Sequence, residues 1–136
     1  MDAGTRNYEA TGVTALPMIH HQLLGSVGGL ESAELVPSGS LDIESTDHFR
    51  QAFTQMLGTG VSQFFVDLRG VGYVDSTGLG SLMQLFRETK SRNGKTWFYG
   101  LNPPVAEIFS LTHLDRIVEL YETREGVFAK AEEQNR

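Results

Sequence analysis

The sequence contains no cysteine among its 136 residues. This absence excludes disulfide bonds and thiol-based catalysis. No apolar run reaches the roughly 20 residues that a membrane-spanning helix needs, and no charged, apolar and small-residue succession marks a secretion signal. We therefore expect a cytoplasmic protein that does not insert into a membrane.

Basic residues are few as well. The chain has 11 Lys and Arg against 17 Asp and Glu, which gives a formal net charge of -6. A nucleic-acid surface needs clustered cations to neutralise phosphates. The only dense basic group lies mostly in the last turns of a predicted helix, where cations complement the helix dipole; it consists of Arg87, Lys90, Arg92 and Lys95. We therefore expect no nucleic-acid partner.

Familiar catalytic motifs are also missing. No glycine-rich loop ends in Gly-Lys-Ser/Thr, which excludes a nucleotide-binding P-loop, and no serine lies in a G-x-S-x-G elbow. An acidic pocket stays open as an alternative, because Asp42, Asp67 and Asp75 could cluster at strand ends, bind a divalent cation and transfer phosphate. Such a pocket would also need a lysine near the phosphate. Lys95 precedes the apolar run of its predicted strand, so we expect it at the opposite end of that strand from the carboxylates.

We expect no enzyme, no catalytic residue, no metal and no cofactor.

The chain is organised around the stretch from Gly70 to Gly80, which reads GVGYVDSTGLG. The apolar block FFVDLR before it predicts a buried strand over residues 64–69. After it, apolar residues recur at i, i+3, i+4 and i+7, the spacing of one helix face; these are Leu79, Leu82, Met83 and Phe86. The stretch therefore joins a buried strand to an amphipathic helix.

Asp75, Ser76 and Thr77 stand where that helix begins. Their side-chain oxygens can accept hydrogen bonds from the free N–H groups of the first turn, as helix caps commonly do. Gly78 and Gly80 keep this turn bare, so another molecule could approach its backbone closely. A hydroxyl here can also carry a phosphate without melting the helix, because the dianion meets free N–H groups and the positive end of the dipole. The segment is thus a candidate for modification rather than for catalysis.

Strands and helices alternate about four times along the chain, which predicts an α/β fold with parallel strand pairs. Ser45, Thr46 and Asp47 offer caps for a helix that ends at Gly58, and Asn93-Gly94 suits a left-handed end of the central helix.

The first 30 residues have a weaker pattern. We expect residues 1–30 to form an N-terminal extension, partly disordered or with a first short strand, and residues 31–136 to form one domain. Composition predicts disorder for the first dozen residues, whereas residues 15–27 suit either a short strand or a helical turn.

The segment from Phe64 to Thr123 resembles a STAS domain of the bacterial anti-sigma-factor antagonist type. The resemblance rests on the motif D-S-[ST]-G-L-G after a V-D-L strand, on Gly39-Ser40-Leu41-Asp42 before it, and on the Leu101-Asn102-Pro103 and Leu114-Asp115 landmarks after it. It covers about residues 33–134. It implies an α/β fold with a mixed sheet of four to five strands and about four helices packed mainly on one side.

The resemblance also implies a function, partner switching. Unphosphorylated, the protein would bind an anti-sigma factor of the histidine-kinase-like ATPase type, a serine/threonine kinase, and so free a sigma factor. That kinase would phosphorylate the second hydroxyl of the motif, which falls on Thr77, with Ser76 as second choice, and a PP2C-type phosphatase would reverse the step. The family's usual acceptor is serine, so the threonine is a departure. The implied partner-binding residues are Asp42, Asp75, Ser76, Thr77, Gly78, Leu79 and Gly80.

Other functions stay open from the sequence. A STAS subunit of a transporter or signalling scaffold would use the same surface without phosphorylation. A small phosphate-handling enzyme would instead need the acidic pocket described above. Self-association is also possible.

Overall fold

The computed structural model describes residues 19–133, so the expected disorder of the first dozen residues lies outside the described range. Seven strands and four helices follow one another within this range. The strands are β1 (Ile19–Val27), β2 (Leu30–Pro37), β3 (Gly39–Leu41), β4 (Gln63–Asp67), β5 (Val71–Val74), β6 (Lys95–Tyr99) and β7 (Glu119–Tyr121). The helices are α1 (Thr46–Gly58), α2 (Ser76–Ser91), α3 (Pro103–Leu111) and α4 (Arg124–Glu133), with a 3-10 turn over Leu114–Arg116.

Five strands form one mixed sheet in the order β1-β2-β4-β6-β7. Only β1 is antiparallel to its neighbour, while β2, β4, β6 and β7 pair in parallel. The remaining two strands, β3 and β5, form a separate short parallel pair. The predicted α/β fold with a mixed sheet and about four helices is confirmed.

Residues 15–27 were expected to form either a short strand or a helical turn. The part of this segment that the structure describes, residues 19–27, is strand β1. Residues 19–27 pair with β2, from Ile19 opposite Pro37 to Val27 opposite Leu30. The register shifts between Leu23 and Gly25, where the glycine adopts a φ of 73°. The sheet therefore begins before residue 31, inside the segment expected to be an extension.

Helices α1, α2 and α3 cover one face of the sheet. Alternate side chains of a strand point to the same face, so β2, β4 and β6 each contribute every second residue to one core. The helices contribute their apolar faces to it. Its buried members include Ala33, Leu35, Phe64, Val66 and Phe98 from the strands, and Phe49, Phe53, Leu82, Leu85, Val105 and Phe109 from the helices.

Among the helices of residues 19–133, α4 is the one that covers the opposite face. It packs on the alternate residues of the same strands through Val127 and Ala131. The ring of Phe65 stacks on that of Phe128 with centroids 4.1 Å apart. The expectation that the helices lie mainly on one side of the sheet is therefore confirmed, with three on one face and one on the other.

The short pair β3–β5 was not predicted as such. Pro37, which cannot donate to a strand ladder, ends β2, and the chain then leaves the large sheet to form β3. Residues 71–74 lie in the stretch that was expected only to join a buried strand to the helix. Strand β5 is only four residues long, and only Val71 and Val74 are buried while Gly72 and Tyr73 are exposed, so it has no alternating pattern to detect.

A group of charged and polar side chains is buried on the α4 face. The hydroxyl of Tyr99 donates to Glu34 Oε2 at 2.6 Å, and Arg124 at the start of α4 donates to the same oxygen at 2.8 Å. Burial and the hydrogen bond to Glu34 raise the pKa of Tyr99, so it stays a neutral donor. The ion pair fixes the first turn of α4 to the sheet.

Asp67 at the end of β4 belongs to the same region. Arg69 donates to its two oxygens at 3.0 and 2.7 Å. Burial alone would raise the pKa of Asp67, but the hydrogen bonds from the Arg69 side chain and backbone outweigh it and lower the pKa below its usual value. The ionised carboxylate is therefore the stable form in the fold.

We expect Arg69→Met to destabilise the fold in a pH-dependent way. At pH 7 the free energy of unfolding should fall by about 1–3 kcal/mol, because a buried carboxylate loses its charged donor. The lowered pKa of Asp67 stabilises the fold above the ordinary carboxyl pKa of about 4, and this contribution disappears as the pH falls through the folded-state pKa. Denaturant titrations of parent and variant from pH 7 to pH 2 should therefore converge at the acid end.

The matched control is Arg87→Met, at an exposed position of α2. This variant should follow the parent at every pH. A constant difference between Arg69→Met and the parent down to pH 2 would contradict the role given to the Asp67–Arg69 pair.

Candidate functional site

The side chain of Asp75 caps helix α2. Its backbone is extended, and its Oδ1 accepts the N–H of Gly78 at 2.8 Å. Asp75 also donates its own N–H to the carbonyl oxygen of Leu41 at 3.0 Å, which holds the cap against the end of β3. The predicted cap is confirmed, and the carboxylate makes it rather than either hydroxyl.

The two hydroxyl-bearing residues after the cap reach the surface. Ser76 is exposed and Thr77 is half-buried, and they occupy the first two positions of α2. Because of that position, their N–H groups have no acceptor within the helix. A negative group attached to either side chain would meet these donors and the positive end of the helix dipole.

Gly78 does not keep the first turn bare. It is buried, and a Cβ at this position would overlap the carbonyl oxygen of Leu41. A side chain is excluded here because α2 packs directly on the end of β3. The expectation that Gly78 offers its backbone to another molecule is therefore wrong.

Gly80 is open. It is exposed in the second turn of α2, and a Cβ added to it would meet nothing within 4 Å. A glycine inside a helix costs about 0.5–1 kcal/mol relative to alanine, and no contact within the described range explains it. Gly80 is therefore the glycine of this motif that leaves room for an external molecule. Leu79 between the two packs against the core under α2.

The loop from Asp42 to Ser45, between β3 and α1, lies beside the start of α2. Asp42 Oδ1 accepts the N–H groups of Glu44 and Ser45 at 3.0 and 3.1 Å. Ser45 stands at the cap position of α1 but makes no side-chain cap bond. Its hydroxyl instead accepts from the N–H of Asp42 at 3.0 Å and donates to the carbonyl of Ser40 at 2.7 Å. The predicted capping role of Ser45 is wrong.

Asp75 joins this loop to α2. Its Oδ2 accepts the N–H of Ile43 at 3.2 Å, while its Oδ1 caps the helix. The structure therefore brings Asp42 and its loop next to Asp75, Ser76 and Thr77, although 32 residues separate Ile43 from Asp75 in the chain.

Two large apolar side chains are exposed around this site. Ile43 is 72% exposed and Tyr73, two residues before Asp75, is 53% exposed. Sequence reasoning missed both. Ile43 follows a three-residue strand outside any periodic pattern, and Tyr73 lies on β5, which was not predicted as a strand. Tyrosine is one of the residues enriched among those that carry binding energy at protein–protein interfaces.

The acidic pocket is not formed. Asp67 pairs with Arg69 on the α4 face, whereas Asp75 binds the N–H of Ile43 and Gly78. Within residues 19–133, no three acidic or histidine side chains lie together as a metal site would require. Lys95 opens β6 opposite Gln63, at the far end of the sheet from Asp67, as expected. The alternative in which Asp42, Asp67 and Asp75 cluster to bind a cation is contradicted.

No helix in the described part of the chain is long and apolar enough to cross a lipid bilayer.

Among known proteins, the sequence is 33% identical over 90 residues to a Thermotoga maritima protein provisionally named an anti-sigma factor antagonist. The match covers 65% of this chain and 80% of that protein. It is 25% identical to the anti-sigma-B factor antagonist of Staphylococcus aureus over 92 residues, 68% of this chain and 85% of that one.

Solved structures agree on the fold. The crystal structure of a Thermotoga maritima protein with the same provisional name superimposes with a TM-score of 0.75 and 26% identity, over 83% of this chain and 93% of that one. The anti-sigma factor antagonist SpoIIAA in its unphosphorylated form superimposes with a TM-score of 0.71 at 18% identity, over 83% and 95%. The STAS domain model matches residues 32–127, which include every element from β3 to α3 and the whole site. The chain belongs to the STAS domain family.

Proposed function

We propose that this protein is an anti-sigma-factor antagonist that works by partner switching. In the unphosphorylated state it binds an anti-sigma factor of the histidine-kinase-like ATPase type, which is also its kinase. Phosphorylation of Thr77 releases that partner, and a PP2C-type phosphatase restores binding. The observation that carries the proposal is the juxtaposition of the two surface hydroxyls at the capped start of α2 with the open backbone at Gly80.

The chemistry needs nothing from this chain beyond a hydroxyl. Thr77 Oγ1 attacks the γ-phosphorus of ATP held by the partner, the new O–P bond forms, ADP leaves, and the hydroxyl proton passes to a base of the kinase. In the reverse step, water attacks the phosphorus on the phosphatase, the O–P bond breaks, and phosphate leaves.

The fold is suited to carry the phosphate. A phosphate on Thr77 brings about -1.5 to -2 charges to the N-terminus of α2. The dipole and the N–H groups of the first turn stabilise an anion there by about 0.3–1 kcal/mol. The rest of α2 is anchored by buried side chains, among them Leu82 and Leu85, so the fold has no reason to open.

The same phosphate is unfavourable for a docked partner. Ile43, whose N–H is bonded to Asp75, and Tyr73, two residues before Asp75, offer exposed apolar side chains, and Gly80 allows close approach. A partner seated on these residues, and on Asp42, Asp75 and Ser76, would have to bury the dianion. Burying a charge without a counter-ion costs several kcal/mol, and about 1.4 kcal/mol already lowers affinity tenfold.

The choice of Thr77 over Ser76 rests on the position of Thr77 in the motif. Exposure alone would favour Ser76, which is the more exposed of the two.

We predict that incubation with the partner kinase and ATP adds one phosphate, and that peptide mapping by mass spectrometry places it on Thr77. Thr77→Val, which removes the hydroxyl and keeps the side-chain volume, should abolish incorporation. Ser76→Ala is the matched control and should accept phosphate like the parent. Undiminished labelling of Thr77→Val would overturn the assignment.

The two glycines of the motif should respond oppositely to alanine. Gly78→Ala should destabilise the fold by about 1–3 kcal/mol, because the new Cβ overlaps the Leu41 carbonyl. Gly80→Ala should stabilise it by about 0.5–1 kcal/mol and yet weaken partner binding about tenfold, if the partner's backbone occupies the space over Gly80. Denaturant unfolding and titration calorimetry measure the two effects.

Gly58→Ala is the control for this pair. Gly58 is the last residue of α1 and also has open space at its Cβ. Helix α1 begins beside the site and is 13 residues long, so Gly58 lies roughly 20 Å from that end. This variant should bind the partner like the parent. Full affinity in Gly80→Ala as well would remove Gly80 from the interface.

A further inference from the structure

The N–H of Ile43 is held from outside its own loop. The other hydrogen bonds of the loop are local, because Asp42 Oδ1 accepts from Glu44 and Ser45, and the Ser45 hydroxyl accepts from Asp42. Ile43 alone donates to a distant residue, Asp75, through Oδ2 at 3.2 Å. The position of the most exposed large apolar side chain beside the acceptor therefore depends on the Asp75 carboxylate.

Both oxygens of that carboxylate are engaged. Oδ1 accepts from Gly78 in the first turn of α2, and Oδ2 accepts from Ile43. Asp75 is thus hydrogen-bonded both to the helix that carries the hydroxyls and to the loop that carries Ile43.

A negative group on Thr77 would lie at the same helix end as this carboxylate. Thr77 is the second residue of α2, and Asp75 is the cap of that helix. A phosphate on Thr77 seeks the N–H groups of the first turn, including the one that Asp75 already binds. It also repels the carboxylate, since like charges at close range disfavour each other.

We propose that Asp75 is a positioning residue that couples Thr77 to Ile43. On modification of Thr77, the Asp75 carboxylate leaves the N–H of Ile43, and the apolar anchor at residue 43 is no longer held in place. Phosphorylation then weakens partner binding in two ways, by charge at the acceptor and by loss of an ordered apolar contact. This inference rests on the proposed function of Thr77 and adds the route by which the signal spreads.

The test reads the backbone amides by NMR and needs neither kinase nor partner. In Thr77→Glu, the Ile43 amide should lose its hydrogen-bonded chemical shift and exchange with solvent at least about tenfold faster, the factor expected for one lost hydrogen bond to a charged acceptor. The matched control is Thr77→Gln, which has the same shape without the charge and should leave Ile43 unchanged. The amides of Glu44 and Ser45 are internal controls, because Asp42 holds them in every variant.

A second variant separates coupling from a general loosening of the loop. Asp75→Asn keeps an acceptor oxygen but removes the charge, so adding Thr77→Glu to it should have no further effect on Ile43. An unchanged Ile43 amide in Thr77→Glu, or an equal change in Thr77→Gln, would overturn the coupling. If the Ile43 amide responds while Thr77 proves not to be phosphorylated, the coupling holds and only the proposed function fails.

Discussion

The packing of α2 against the end of β3 is the constraint on which the site depends. Gly78 allows it, because any side chain there would overlap the Leu41 carbonyl. The N–H of Asp75 donates to the same carbonyl at 3.0 Å. A glycine and one backbone hydrogen bond thus fix where α2 begins. The positions of the cap, the two hydroxyls and the open Gly80 follow from that contact.

The two faces of the sheet have different electrostatic roles. On the α4 face, the carboxylates of Glu34 and Asp67 are buried and each is paired with an arginine. These charges are compensated within the fold and hold α4 and the ends of the strands in place. At the start of α2, by contrast, the Asp75 carboxylate accepts from backbone N–H groups, those of Ile43 and Gly78. Added negative charge therefore has its effect at this second place, while the buried side chains of α2 hold the core below it.

Much of the fold could be predicted from the sequence, because its strongest patterns are local. The apolar spacing of α1 and α2, the short aromatic strand β6 and the left-handed residue Asn93, with a φ of 58°, are all read from neighbouring residues. The cap at Asp75 was predictable for the same reason. Strand β5 was not, since its burial comes from pairing with β3 and not from alternation.

The parts of the site that were missed depend on contacts between distant segments. Gly78 and Gly80 are identical in the sequence, and only the Leu41 carbonyl distinguishes the buried one from the open one. Ser45 looks like a helix cap, but its hydroxyl is used within its own loop. Ile43 has no signal of its own and becomes part of the site only through the bond from its N–H to Asp75. Such pairings follow from the topology and cannot be read from local spacing.

The central claim is that a phosphate on Thr77 controls partner binding and leaves the fold intact. The most direct test is titration calorimetry of the purified anti-sigma partner with the unmodified protein, the Thr77-phosphorylated protein and the same sample after phosphatase treatment, alongside the melting curve of each. We predict an affinity at least about tenfold weaker for the phosphorylated form, recovery after dephosphorylation, and superimposable melting curves. Equal affinities in all three samples would contradict the switch and favour a scaffold or transporter subunit, and a collapsed melting curve would show that Thr77 is needed for the fold itself.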